Sequence, residues 1–220
     1  MPASRKKVVR PVAARVGPCS RASPASSSSV RPSLRLSSPG GSGLGLRSVR
    51  TGVVPRLIAG GPRPEWRLGE LTVVVGPERA ELRYAREPVG FAPPSAEAIG
   101  AAVARARQRL AARSRAPDEL LPALVGAYEA VLAARGARPG DRVPLVELRE
   151  QIAGTRAQFA WDLARLRRER RLVVGDRRID LGVATGHAAA RRSQVVWIES
   201  DGGGGSFFQS FRLIAQEVRP

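Results

Sequence analysis

The chain is poor in the residues from which catalytic and metal sites are most often built. Its 220 residues contain one cysteine, Cys19, and one histidine, His187, and the only lysines are Lys6 and Lys7. A lone cysteine closes no intramolecular disulfide and supplies no cysteine-based zinc site; it suits a reducing compartment, so a cytoplasmic location is expected. One histidine leaves multi-histidine metal sets without ligands, and a loop position is expected for it. Without a lysine beyond position 7, the rest of the chain has no phosphate-loop lysine and no Schiff-base lysine. No run of about 18 apolar residues occurs, so no membrane-spanning helix is expected. These absences set the expectation of a non-enzymatic protein with no cofactor and no metal.

Acidic residues are missing just as selectively. Residues 1–60 hold 11 of the 37 basic side chains and no Asp or Glu, and so carry +11 of the formal net charge of +18. Residues 61–220 hold the other 26 basic side chains and all 19 acidic ones, a balance of +7. Such an excess attracts polyanions, because each phosphate neutralised releases condensed counterions; DNA, RNA and an anionic membrane surface all qualify. The segment 1–56 is rich in Ser, Pro and Arg and has too few large apolar side chains to offset the entropy of ordering. A disordered basic tail is expected there.

Hydrophobic patterning follows. Leu71 to Val75 and Ala80 to Ala85 flank Gly76, Pro77, Glu78 and Arg79, which predicts a β-hairpin with a four-residue turn. After Pro93 and Pro94, Ser95 can cap a helix that places Ile99, Val103, Ala106 and Leu110 on one face and Arg105, Arg109 and Arg113 on the other. Pro117 interrupts, and Asp118 can cap a second helix. Its apolar stripe, Leu121, Leu124, Val125, Tyr128, Val131 and Leu132, ends before Gly136.

From Arg142 the pattern becomes more specific. An extended piece over Arg142 to Leu145 precedes a short helix over Val146 to Ala153 and a turn at Gly154. Thr155 and Gln158 then have capping-box spacing, in which hydroxyl and amide each satisfy an end-of-helix N–H. The helix they open, through Arg170, aligns Phe159, Leu163 and Leu166. Leu172 to Val174, a turn over Gly175 to Arg178, and Ile179 to Leu181 complete the pattern. This order resembles a winged helix-turn-helix domain over about residues 118–181, on pattern and not on any diagnostic string. Beyond it, Gln194 to Ser200 and Ser206 to Ile214, joined by Asp201 and a glycine run, predict an extra hairpin that enlarges the wing or makes a partner surface. The fold class expected is α+β: a winged helix-turn-helix with an extra C-terminal β-hairpin, preceded by a small β-hairpin plus helix and the disordered tail. The corresponding domains are 1–56, 57–116 and 117–216.

The resemblance implies that the third helix lies in the major groove and the wing touches the backbone. Arg165, Arg167, Arg168, Arg170 and Arg171 at the end of that helix, with Arg177 and Arg178 in the wing turn, are then the phosphate contacts. Arg156, Gln158 and Trp161 near its start are the candidates for base contacts, arginine being suited by its planar fork. The same arginines also suit a solvated helix end, where they complement the macrodipole and can pair with Asp162 and Glu169. Trp197, Phe207, Phe208 and Phe211 crowd one hairpin and are expected to form a core or a partner interface. Glu199 and Asp201 are expected to be solvated hairpin ends and not a metal site. The leading expectation is binding to double-stranded DNA, as a regulator or as a subunit of a DNA-transacting system, near the nucleoid. RNA binding through the tail is one alternative. An adaptor that docks a protein partner or a second copy of the chain is the other.

Overall fold

The computed structural model describes residues 54–200 and 204–216, so the expected tail lies almost wholly outside the described residues. The first strands are β1 (Arg56–Ala59), β2 (Glu65–Leu68), β3 (Leu71–Val75), β4 (Ala80–Tyr84) and β5 (Glu87–Ala92), an antiparallel meander paired in chain order. The predicted hairpin is β3–β4, with Val75 opposite Ala80. The sheet is larger than that hairpin, however. Its flanking strands β2 and β5 carry Glu65, Arg67, Pro88 and Gly90, residues with little intrinsic strand preference. Cross-strand packing decides instead: Trp66 lies opposite Val73, and Gly90 opposite Leu82. Alternation buries Leu71, Val73 and Val75 with Ala80, Leu82 and Tyr84.

Helix α1 (Ala96–Ala112) packs on β4 and β5 through Ile99, Val103, Ala106 and Leu110, as its periodicity predicts, and Ser95 Oγ accepts from the Ala98 amide at 3.3 Å. Helix α2 (Pro117–Arg135) starts differently from expectation. Ala116 is the cap residue and Pro117 the first helical one, a position where a missing N–H costs nothing; Asp118 instead pairs with Arg171 at 2.6 Å. Gly136 ends α2 at φ 61°. The remaining elements are β6 (Val143–Pro144), α3 (Leu145–Glu150), α4 (Arg156–Arg168), β7 (Val173–Val174), β8 (Arg177–Val183), α5 (His187–Ala190), a 3-10 turn (Arg192–Gln194), β9 (Val196–Glu199) and β10 (Gly205–Ala215). His187 is exposed and opens the four-residue α5 instead of lying in a loop.

The second sheet has the order β6-β10-β8-β7, with β9 also on β10. The last hairpin therefore joins the sheet of the β7–β8 hairpin through β10. Its strand β10 is the centre of the sheet: Phe211 lies opposite Leu181 on β8 and Val143 on β6, while Phe208 lies opposite Val183 and Val196. Tyr128 of α2 packs its ring 5.6 Å from that of Phe211 and ties down the loop before β6, donating to Asp141 O at 2.8 Å and accepting from Gly140 N at 3.0 Å.

One buried cluster runs from Leu68 to Leu213, so the segments 57–116 and 117–216 share a single core. Two polar contacts fix the first sheet to the C-terminal hairpin. Arg67 on β2 and Glu199 on β9 form a two-pronged ion pair with both residues buried, at 9% and 6% exposure, and Arg67 Nε also donates to Gly69 O at 2.7 Å. Glu199 is thus no solvated hairpin end; Asp201 lies outside the described residues. Arg86, in the β4–β5 turn, lies 4.4 Å from the Trp197 ring and 4.8 Å from that of Phe207. Ala85 and Arg86 hold φ of 51° and 66°, a turn geometry that favours Asn and Gly, and the stacked guanidinium offsets that strain.

Two stability outcomes follow. Glu199→Gln leaves Arg67 buried without its counter-charge and is expected to cost about 3–5 kcal/mol in urea denaturation, whereas the double change Arg67→Met with Glu199→Leu costs less. Gly205→Ala is expected to cost about 1–3 kcal/mol, because a Cβ there meets both the Ile198 carbonyl and the Trp197 ring at 2.7 Å.

Candidate nucleic-acid interface

The reading helix implied by the sequence is α4, and its surroundings decide what it can touch. Thr155 caps it, Oγ1 accepting from Gln158 N at 3.2 Å. The reciprocal half of the capping box is not made. Gln158 Nε2 donates instead to Leu110 O at 3.0 Å and to Asp162 Oδ1 at 3.2 Å, with the residue 8% exposed. Trp161 packs edge-to-face on Tyr84 at 5.1 Å. Arg156 donates to the carbonyls of Arg192 and Val195 and pairs with Glu87 at 3.4 Å. All three residues expected to contact bases therefore hold the protein together. With Ala157, Phe159, Ala160, Leu163, Ala164 and Leu166 also buried, α4 has no continuous face to lay in a major groove.

Some of the arginines at and beyond the far end of α4 have partners, whereas Arg170 and Arg178 are exposed with no acidic partner among the described residues. Arg165 donates to Arg115 O and lies 3.8 Å from Glu169; Arg167 sits 5.0 Å over the Phe208 ring; Arg171 pairs with Asp118. Arg177 lies 4.0 Å from Glu129 and 3.9 Å from Asp176. The β7–β8 turn is only Gly175 and Asp176, so Arg177 and Arg178 belong to strand β8. Arg168 is exposed. Arg170 is exposed at φ 56°, in the left-handed position after α4 that glycine usually fills.

The aromatic residues expected at a partner interface divide into a buried pair and a half-buried pair. Phe208 and Phe211 are buried in the core, and Trp197 and Phe207, 4.9 Å apart and edge-to-face, are covered by Arg86. A strand with buried neighbours on both edges has to place its alternate side chains inside, which is why this hairpin needs its aromatics.

A different set of arginines stands clear. Arg105, Arg109 and Arg113 recur every fourth residue along the outer face of α1; all three are exposed, and none has an acidic partner among the described residues. Their neighbour Arg107 pairs with Glu70 at 3.3 Å. The stripe runs into a cleft of about 410 Å³ between β5, the end of α1 and the start of α4, whose lining includes Glu87, Arg109, Arg113 and Arg156. Arg109 is positioned there by a hydrogen bond of 2.9 Å to Val89 O. These arginines are visible in the sequence at helical spacing; what sequence alone could not show is which arginines have partners.

Among the described residues no group of three or more His, Cys, Asp and Glu side chains is placed to hold a metal ion, and no helix is long and apolar enough to cross a membrane. Comparison with known proteins returns no match to any family model, curated protein or solved structure.

Behind the cleft lies a buried carboxylate. Asp162 Oδ1 accepts from Ser114 Oγ at 2.5 Å as well as from Gln158. Burial pushes its carboxyl above the ordinary range, opposed in part by those hydrogen bonds. A raised folded-state value means that the folded chain holds the proton to higher pH than the unfolded one. Its contribution is therefore present below the unfolded value near pH 4 and lost as pH rises through the folded value. Asp162→Asn keeps an acceptor for Ser114 without the charge; it is expected to raise stability at neutral pH and to flatten this limb. Denaturation series from about pH 4 to 7 check it, and a variant less stable than the parent at neutral pH contradicts it.

Proposed function

We propose that the chain is a nucleic-acid-binding protein of winged-helix type, the segment from α2 to β8 being the winged helix, and that it grips duplex DNA by its phosphates without base readout by α4. One observation carries this reading: the α1 stripe is exposed and has no acidic partner among the described residues, whereas Arg156, Arg165, Arg171 and Arg177 each face a carboxylate. Four residues of helix advance about 6 Å, so successive arginines span one to two phosphate steps of a strand at about 3.4 Å each along the axis. A guanidinium can meet each phosphate with two hydrogen bonds, and the helix beneath is anchored by its buried face. The 11 basic residues of segment 1–60 add attraction that is independent of sequence.

The exposed edge strand β1 favours a second reading, an adaptor that docks a partner by strand addition. All four of its residues are exposed, including Leu57 at 50% and Ile58 at 52%.

Salt titration of duplex binding by the full chain separates the two. Replacing Arg105, Arg109 and Arg113 by Gln is expected to lower the slope of log affinity against log salt by roughly 2–3, at about 0.9 per lost phosphate contact. Arg171→Gln, which breaks a surface pair with Asp118, leaves the slope as it was. An unchanged slope in the triple variant assigns any duplex binding to the N-terminal basic segment, overturns the proposal and makes the β1 edge the surface to pursue.

A further inference from the structure

We infer that the cleft between β5, α1 and α4 is a binding site for a phosphate monoester: the 5′-terminal phosphate of a nucleic-acid strand, or a free nucleotide of the same chemistry. The inference deepens the proposed function, with which it shares Arg109 and Arg113, and it rests on what is distinctive about the cleft itself. Three guanidinium groups line it against one carboxylate, Glu87, and that carboxylate is already matched by Arg156 at 3.4 Å. The cleft therefore keeps an uncompensated positive charge.

The three cations are not equally free, and the difference is useful. Arg156 is held by the carbonyls of Arg192 and Val195, and Arg109 by that of Val89, so both are fixed before any ligand arrives. Each guanidinium has five N–H donors, and those not used on carbonyls remain available to an anion. Arg113, exposed and without a side-chain partner among the described residues, can close over it. Fixed donors of this kind cost little ordering on binding, which favours affinity.

Shape points to a chain end in preference to a passing backbone. Strand and two helices wall the cleft, and its volume of about 410 Å³ suits a small ligand or one terminal nucleotide. Pro88, Val89 and Leu110 supply an apolar wall beside the arginines, against which a sugar or base can rest. A monoester also brings about −1.5 to −2 charges at neutral pH, more than the single charge of an internal diester, so it gains more from an unmatched cationic cluster.

The test uses the full chain with a hairpin duplex carrying either a 5′-phosphate or a 5′-hydroxyl, followed by fluorescence anisotropy, and separately adenosine 5′-monophosphate by calorimetry. The 5′-phosphate is expected to tighten binding about tenfold. Arg113→Gln should erase that difference, Arg105→Gln, outside the cleft, should weaken both duplexes alike, and inorganic phosphate should compete only against the phosphorylated one. A difference below about twofold, with no competition by phosphate and no binding of the monophosphate, overturns the cleft while leaving the duplex reading standing. Saturable binding of the monophosphate that needs Arg113, with neither duplex bound, supports the cleft as a free-nucleotide site and overturns the duplex reading. Binding of none of the probes overturns both.

Discussion

Helix α4 has to satisfy two sheets at once, and most of the molecule is arranged around that demand. One side meets β9, another meets β5, and its first turns close against the end of α1 through the Gln158 bond to Leu110 O. Burying Phe159, Leu163 and Leu166 stabilises the fold by roughly 2 kcal/mol each. The polar residues between them can be buried only because each finds a partner: Gln158 two acceptors, Asp162 two donors, Arg156 two carbonyls. A helix used in this way is a keel for both sheets.

The same demand sorts the arginines. Those whose stems cross the junction between the sheets are drawn into pairs, because a guanidinium taken out of water needs its N–H groups satisfied. Arg67, Arg156 and Arg165 are of this kind. Arg105, Arg109 and Arg113 of the α1 stripe stay exposed and face no carboxylate of their own among the described residues, so they keep much of their hydration. Net charge treats the two groups alike, yet only the second has field left to offer a polyanion.

Much of the local structure was legible in the sequence and much of the packing was not. The Ser95 cap and the stripe Ile99, Val103, Ala106 and Leu110 are found where their spacing predicts, as are the β3–β4 hairpin and the Thr155 hydroxyl cap, because each depends on residues a few positions apart. Strands β1, β2 and β5 were missed, since charged residues, Pro88 and Gly90 give no alternating pattern and neighbouring strands impose the extended form. The internal contacts of the candidate base contacts Gln158 and Trp161 were hidden for a related reason. Polar and aromatic residues at the start of a helix look the same whether they face solvent or a second sheet that lies about 70 residues earlier in the chain. The Arg67 pairing with Glu199, 132 residues apart, leaves no trace in any local pattern.

The position of β10 has a consequence for how the molecule is made. Its neighbours β6 and β8 do not touch through backbone pairing; each waits for the strand that separates them. On a ribosome, where residues emerge in order, both would have been synthesised for some time with a vacant lane between them before that strand arrived. During that interval the edges of β6 and β8 that β10 will cover stand open, the condition under which chains pair wrongly with one another. The early meander, whose contacts are nearly all between consecutive strands, has no such wait. It can serve as a finished surface on which the unfinished half is held.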